Sequence, residues 1–179
     1  MKLIGLAGWS GAGKTTLLVK LIPCLARRGL SVSTLKHAHH RFDVDTPGKD
    51  SYAHRAAGAR QVLVSSAHRW ALMTENRGDP EPELRELLAR FSPVDLIIVE
   101  GFKRDSHPKI EVFRAANGKP WINPDDPAIR AIVSDIAPPP GDLPWAPIDD
   151  IAAVADLVQR HAAPWPDPGA DPGRNPGPG

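Results

Sequence analysis

Residues 8–15 read Gly-Trp-Ser-Gly-Ala-Gly-Lys-Thr, and this stretch constrains the fold more than any other part of the chain. Its spacing is that of a phosphate-binding loop: a glycine, four residues, then Gly13-Lys14-Thr15. Gly8, Gly11 and Gly13 let the backbone curl so that the N–H groups of Ser10, Ala12 and their neighbours point inward onto phosphate oxygens. Lys14 reaches the β- and γ-phosphates, and the Thr15 hydroxyl, followed by Thr16, suits Mg²⁺. Such a loop works only between a buried strand and a helix, because the positive helix end completes the anion site. Both flanks fit. Lys2–Ala7 is a short apolar run suited to a parallel strand, and Thr15–Arg28 places Leu17, Leu18, Leu21, Ile22 and Leu25 on one stripe, with Gly29 as the stop. Pro23 interrupts that helix, where it costs about 3 kcal/mol or forces a kink.

Further strands are predicted at Leu30–Leu35, Arg60–Ser65, Arg69–Thr74, Val94–Val99, Lys109–Phe113 and Ile129–Ser134, with a short one near Ile148. The second and third of these read as a β-hairpin. Helices are predicted over Ser51–Ala57, from Asp79-Pro80 through Phe91, and after a cap at Asp149. Strands alternating with helices imply an α/β fold, a mostly parallel sheet covered on both faces, with ligands bound at the strand ends. The 179 residues suffice for one nucleotide-binding domain, read as 1–163. Residues 164–179 are dense in Pro and Gly and read as a disordered tail.

With 22 Lys plus Arg against 21 Asp plus Glu, no overall field favours nucleic acid or an acidic membrane. No apolar run approaches the roughly 18 residues of a membrane span. The single Cys24 suits a reducing cytoplasm and reads as a small buried hydrophobe.

Three further clusters bear on chemistry. Glu100 ends the apolar strand Val94–Val99 on the side of the phosphate loop, which suits a carboxylate on Mg²⁺ or its water shell. Asp95, at the start of that strand, lies at the wrong end. Lys36-His-Ala-His-His40, with Asp43, Asp45, Lys49 and Asp50, is dense enough for a transition metal, for phosphate or substrate contact, or for a plain solvated loop; the residues leave these open. Gly101-Phe-Lys-Arg104 supplies a glycine for close approach and two cations. Base recognition is weakly signalled. Asn117-Gly-Lys-Pro is not the usual guanine motif, and Asp135 at a strand end is the remaining candidate acceptor for a guanine amino group. Nothing evident positions a hydrolytic water, since Gln61 falls at a strand start.

The phosphate loop, Lys-His-Ala-His-His-x-Phe-Asp-x-Asp-x-Pro-Gly-Lys-Asp-Ser, Arg55-Ala-Ala-Gly-Ala59 and Val-Glu-Gly-Phe-Lys occur in this order, and together they resemble the MobB family of molybdopterin-guanine dinucleotide biosynthesis adaptor proteins. The resemblance runs from about Lys2 to His161. It implies a P-loop NTPase-like fold and an accessory protein that binds GTP and Mg²⁺ and is at most a slow GTPase. It also implies that the protein forms a homodimer and assists a MobA-like guanylyltransferase acting on molybdopterin. Carried over residue by residue, Gly8, Ser10, Gly11, Ala12, Gly13, Lys14, Thr15 and Thr16 bind the phosphates. Thr15 and Glu100 face Mg²⁺, Lys14 and Glu100 act in hydrolysis, and Lys36, His37, Asp45, Asp50 and Gly101 face the nucleotide or the pterin phosphate. A small-molecule kinase, and a metal-delivery GTPase using His37, His39 and His40, are the competing readings.

Overall fold

A computed structural model describes residues 1–38 and 42–165. In chain order the elements are β1 (Lys2–Ala7), α1 (Lys14–Arg27), β2 (Val32–Lys36), α2 (Asp50–Ala56), β3 (Gln61–Ser65), β4 (Trp70–Thr74), α3 (Leu84–Leu88), β5 (Leu96–Glu100), β6 (Lys109–Phe113), a 3-10 turn (Ala115–Asn117), β7 (Ile129–Ser134), β8 (Trp145–Pro147), α4 (Ile151–His161) and β9 (Ala163–Pro164). They fall into two compact units, residues 1–37 with 84 onward, and residues 38–83.

The first unit is built on a sheet of order β2-β5-β1-β6-β7-β8, parallel throughout, with β9 antiparallel to β1 at Lys2 and Leu3. Side chains alternate across the strands, so one face collects Ile4, Leu6, Leu96, Ile98, Ile110 and Val112 beneath α1 and α4. The other face collects Leu3, Leu35, Ile97 and Val99 against Leu84 and Leu88 of α3. Burial on both faces is why β5 reads as a continuous apolar run. Gly5 interrupts β1 for a steric reason: a Cβ there would lie 2.5 Å from Nε2 of buried His107. Among the described residues that imidazole has no hydrogen-bond partner, and burial together with Lys109 pushes its pKa down, which favours the neutral form.

Several boundaries differ from the sequence reading. The helix expected from Asp79-Pro80 begins only at Leu84, because Pro80 and Pro82 hold the preceding residues extended. Asp150, not Asp149, caps α4, its carboxylate accepting from Ala153 N at 3.0 Å. The strand expected near Ile148 lies at Trp145–Pro147. Cys24 is only half-buried. Ordered pairing also continues past residue 163, where Trp165 N donates to Met1 O. The tail beyond Trp165 lies outside the described residues.

Pro23, which has no N–H to donate to Val19 O, sits on the exposed side of α1, as does Val19 at 69% exposure. Pro23→Ala restores that hydrogen bond and should stabilise the protein by about 1–2 kcal/mol, read as a higher denaturation midpoint at unchanged m-value. A lowered midpoint would mean that the restricted unfolded chain outweighs the helical penalty.

The second unit holds α2 and the β3–β4 hairpin, whose register pairs Leu63 with Leu72 and Ser65 with Trp70. Its organiser is Arg55, whose guanidinium grips Asp43 through two hydrogen bonds of 2.7 and 3.1 Å, lies 2.9 Å from Glu75, and stacks over Tyr52. Arg55 holds the Asp43 carboxyl down to about 2. An unfolded aspartate titrates near 3.9, so this contribution is present above about pH 4 and fades as pH falls toward 2. Asp43→Asn should flatten the pH dependence of hydrogen-exchange protection in β3 and β4 across that window. Identical slopes in both proteins would show that the pair contributes nothing.

Candidate functional site

β1 delivers the chain to the sheet edge at Ala7, and the loop 8–13 then turns back into α1. Gly11 and Gly13 hold φ of 83° and 90°, and Gly13 is the residue that caps α1. Gly8 is required for a second reason: a Cβ there would stand 2.5 Å from the Val112 carbonyl. The loop is therefore a glycine-built concavity at a helix N-terminus, the arrangement that directs backbone N–H groups at an anion. Ala12 is buried, while Ser10, Thr15 and Thr16 are exposed at the mouth. Lys14 Nζ spans the loop, donating to Gly8 O at 2.8 Å and Trp9 O at 3.1 Å. Partial burial lowers its pKa, opposed by the charge of Glu100 and reinforced by Lys103 and Lys36.

Strand register explains why those charges meet. Glu100 lies opposite Leu6 on one side and Lys36 on the other, and His37 N donates to Glu100 O at 2.8 Å. Lys36, His37, Glu100 and Gly101 thus share one edge with the phosphate loop, as the sequence predicts. Gly101 has φ of 102°, and a Cβ there would come within 2.5 Å of His37 Cβ. Phe102 follows at φ 50°, a left-handed conformation unusual for an aromatic residue, with its ring 5.0 Å from that of His37. The loop is anchored by buried Lys109, whose Nζ donates to Lys103 O at 2.7 Å and to Asp126 at 2.9 Å. Lys103 in turn lies over the Trp9 ring.

Asp95 has a different task, accepting from the Ser31 backbone and hydroxyl at 2.8 and 2.6 Å at the opposite end of β5. Asp45 and Asp50 belong to the second unit. There the Asp45 carboxylate accepts from Thr46 N and Ser51 Oγ, and Asp50 opens α2. His39 and His40 lie outside the described residues. Among the described residues, no group of three His, Cys, Asp or Glu side chains is placed to hold a metal. Asp135 spends one carboxylate oxygen on Ala115 N at 2.9 Å.

Sequence reasoning missed the flank formed by residues 114–123. Asn117 Nδ2 donates to Ser10 O at 2.8 Å, and Trp9 Nε1 donates to Pro120 O at 2.8 Å, so this segment braces the phosphate loop from the β6 side. Buried Glu111 holds it in turn through Ile122 N, Asn123 N and Asn123 Nδ2 at 2.7–2.9 Å. About a hundred residues of chain separate the two halves of each brace, and no local pattern announces them.

The family model for molybdopterin guanine dinucleotide synthesis protein B matches residues 3–135, which spans this whole edge. The chain belongs to the MobB family. It is 47% identical over 159 residues to the molybdopterin-guanine dinucleotide biosynthesis adapter protein of Escherichia coli K12, covering 87% of this chain and 90% of that one. It is 40% identical over 161 residues to the adapter protein of Haemophilus influenzae, with 88% of each covered. Among solved structures, the crystal structure of Bacillus subtilis MobB superposes with a TM-score of 0.70 at 25% identity, over 92% of this chain and all of that one. A second MobB crystal structure gives 0.70 at 25% identity, over 88% and 98%. The MobB fold thus accounts for the parallel sheet, its covering helices and the small antiparallel hairpin. No described helix is long and apolar enough to cross a membrane.

Proposed function

We propose that this protein binds GTP with Mg²⁺ at residues 8–16 and serves as the accessory protein of a MobA-like guanylyltransferase that converts molybdopterin to molybdopterin guanine dinucleotide. The observation that carries the reading is the glycine-built loop whose lysine shares one edge with Glu100, Lys36 and His37, in a chain so similar to named adapter proteins of that synthesis. Bound Mg²⁺ would neutralise phosphate charge, with Thr15 and Glu100 as its protein neighbours. Backbone N–H groups and Lys14 would hold the β- and γ-phosphates. Lys36 and His37 extend that edge toward a second phosphate, such as that of the pterin.

Hydrolysis is slow in this reading, because the sequence carries no evident motif for a water-positioning glutamine or an arginine finger. Gln61 lies in β3 of the second unit. The exposed stripe of Leu63, Leu72 and Trp70 on the hairpin supports self-association into a homodimer. The cytoplasm, where GTP and the pterin are made, is the compartment that fits.

Titrating GTP, ATP and GDP into the protein, with Mg²⁺ and with EDTA, tests the reading directly. GTP should bind more tightly with Mg²⁺ than with EDTA, and addition of the guanylyltransferase should yield a complex on size exclusion. Binding of none of the three nucleotides would overturn it, as would phosphate transfer to a small acceptor at rates typical of kinases.

A further inference from the structure

Resting on the nucleotide reading above, we infer that Arg114 is a positioning residue for the α- and β-phosphates, held on the flank of the phosphate loop opposite Glu100. Arg114 directly follows β6, which pairs with β1 on the side away from β5. A side chain added at Gly13 would come within 3.3 Å of an Arg114 terminal nitrogen and 3.5 Å of its Nε, so the guanidinium lies directly against the residue that caps α1. Its placement is fixed from both ends. Asp135 accepts from Ala115 N, Asn117 N donates to Arg114 O, and Asn117 Nδ2 donates to Ser10 O.

The electrostatics of this position require explanation. Arg114 is a half-buried residue, and the ion pairs found among the described residues do not include it. It sits beside the positive end of α1, where a cation is disfavoured. A cation standing against a positive helix end is stabilised when an anion bound at that end contacts both. Arginine is suited to that task, since its planar fork donates two parallel hydrogen bonds to phosphate oxygens. Glu100, Lys103 and Lys36 act on Lys14 from the β5 and β2 side, whereas Arg114 follows β6 on the other side of β1. The site therefore has two cationic flanks. Lys14 and its neighbours serve the terminal phosphate and Mg²⁺, and Arg114 serves the phosphates nearer the nucleoside.

Titration calorimetry on the full chain with GTP and GDP, each with Mg²⁺ and with EDTA, tests this. Arg114→Ala should weaken both nucleotides by a similar factor, about ten- to a hundred-fold, equally with and without metal. Arg114→Lys should recover only part of the loss, and the unliganded thermal midpoint of Arg114→Ala should not fall. Wild-type affinity in Arg114→Ala would overturn the inference. So would a loss confined to GTP with Mg²⁺, which belongs to the Glu100 flank, or a loss that tracks a lowered unliganded midpoint. If the wild-type protein binds neither nucleotide, the nucleotide reading falls and this inference with it. Wild-type binding that Arg114→Ala leaves intact removes this inference alone.

Discussion

Lys14→Ala should weaken GTP binding about a hundred-fold or more while leaving the fold in place. The ammonium spans the loop, 2.8 Å from Gly8 O and 3.1 Å from Trp9 O, so in the proposed reading it stands where terminal phosphate oxygens arrive. Each charge-assisted hydrogen bond lost to phosphate is worth about 1.5–3 kcal/mol, and two of them account for the expected factor. Lys14→Arg should not rescue binding, because a planar fork cannot replace a compact point charge inside a tight loop. Partial burial holds the Lys14 pKa below the ordinary lysine value in the free protein. Bound phosphate favours the charged form and raises that pKa. Affinity should therefore decline as pH climbs through the lowered pKa, with proton uptake on binding in that range, and both effects should vanish in Lys14→Ala. Calorimetry in buffers of different ionisation enthalpy reads affinity and proton uptake together. Undiminished GTP affinity in the alanine variant would remove the loop from the account of function.

The phosphate loop, its strand and its helix were legible because they are one contiguous piece of chain, each part demanding the next. Glu100 was legible for a different reason: parallel strands end at the same edge, so the acid ending the most apolar strand had to arrive beside Leu6, next to the phosphate loop. Errors cluster where two neighbours compete for one role. Asp149 and Asp150 are equally good caps by composition, and only the backbone decides that Asp150 reaches Ala153 N. The α3 start slipped because a proline at the first helical turn and a proline in an extended lead-in look alike in sequence. The 114–123 flank was out of reach altogether. Asn117 was weighed only as part of a guanine motif, and its actual partner, Ser10 O, lies 107 positions away. Arg114 likewise carries no local pattern; its meaning comes from standing against Gly13.

That flank leads to the second large effect, at a residue that touches no ligand. Glu111→Ala should destabilise the protein by about 3 kcal/mol or more. The carboxylate is almost wholly buried in β6 and accepts from Ile122 N at 2.7 Å and from Asn123 N and Nδ2 at 2.9 Å each. Removing it strands two backbone donors, each costing about 1–3 kcal/mol, and leaves a cavity in a packed sheet. Glu111→Gln should rescue little. One of its two carbonyl-side positions becomes an NH₂ that faces backbone donors instead of accepting from them. The consequence for the site is indirect. The segment released carries Pro120, whose carbonyl takes the Trp9 indole N–H and so braces the phosphate loop. GTP affinity in Glu111→Ala should then fall only a few-fold while the denaturation midpoint drops sharply, the reverse of the pattern at Lys14. Urea unfolding and GTP titration on the same two variants measure both axes. A midpoint for Glu111→Ala within about 0.5 kcal/mol of wild type would show that the 121–124 loop finds other acceptors, and that the brace on Trp9 does not depend on this carboxylate.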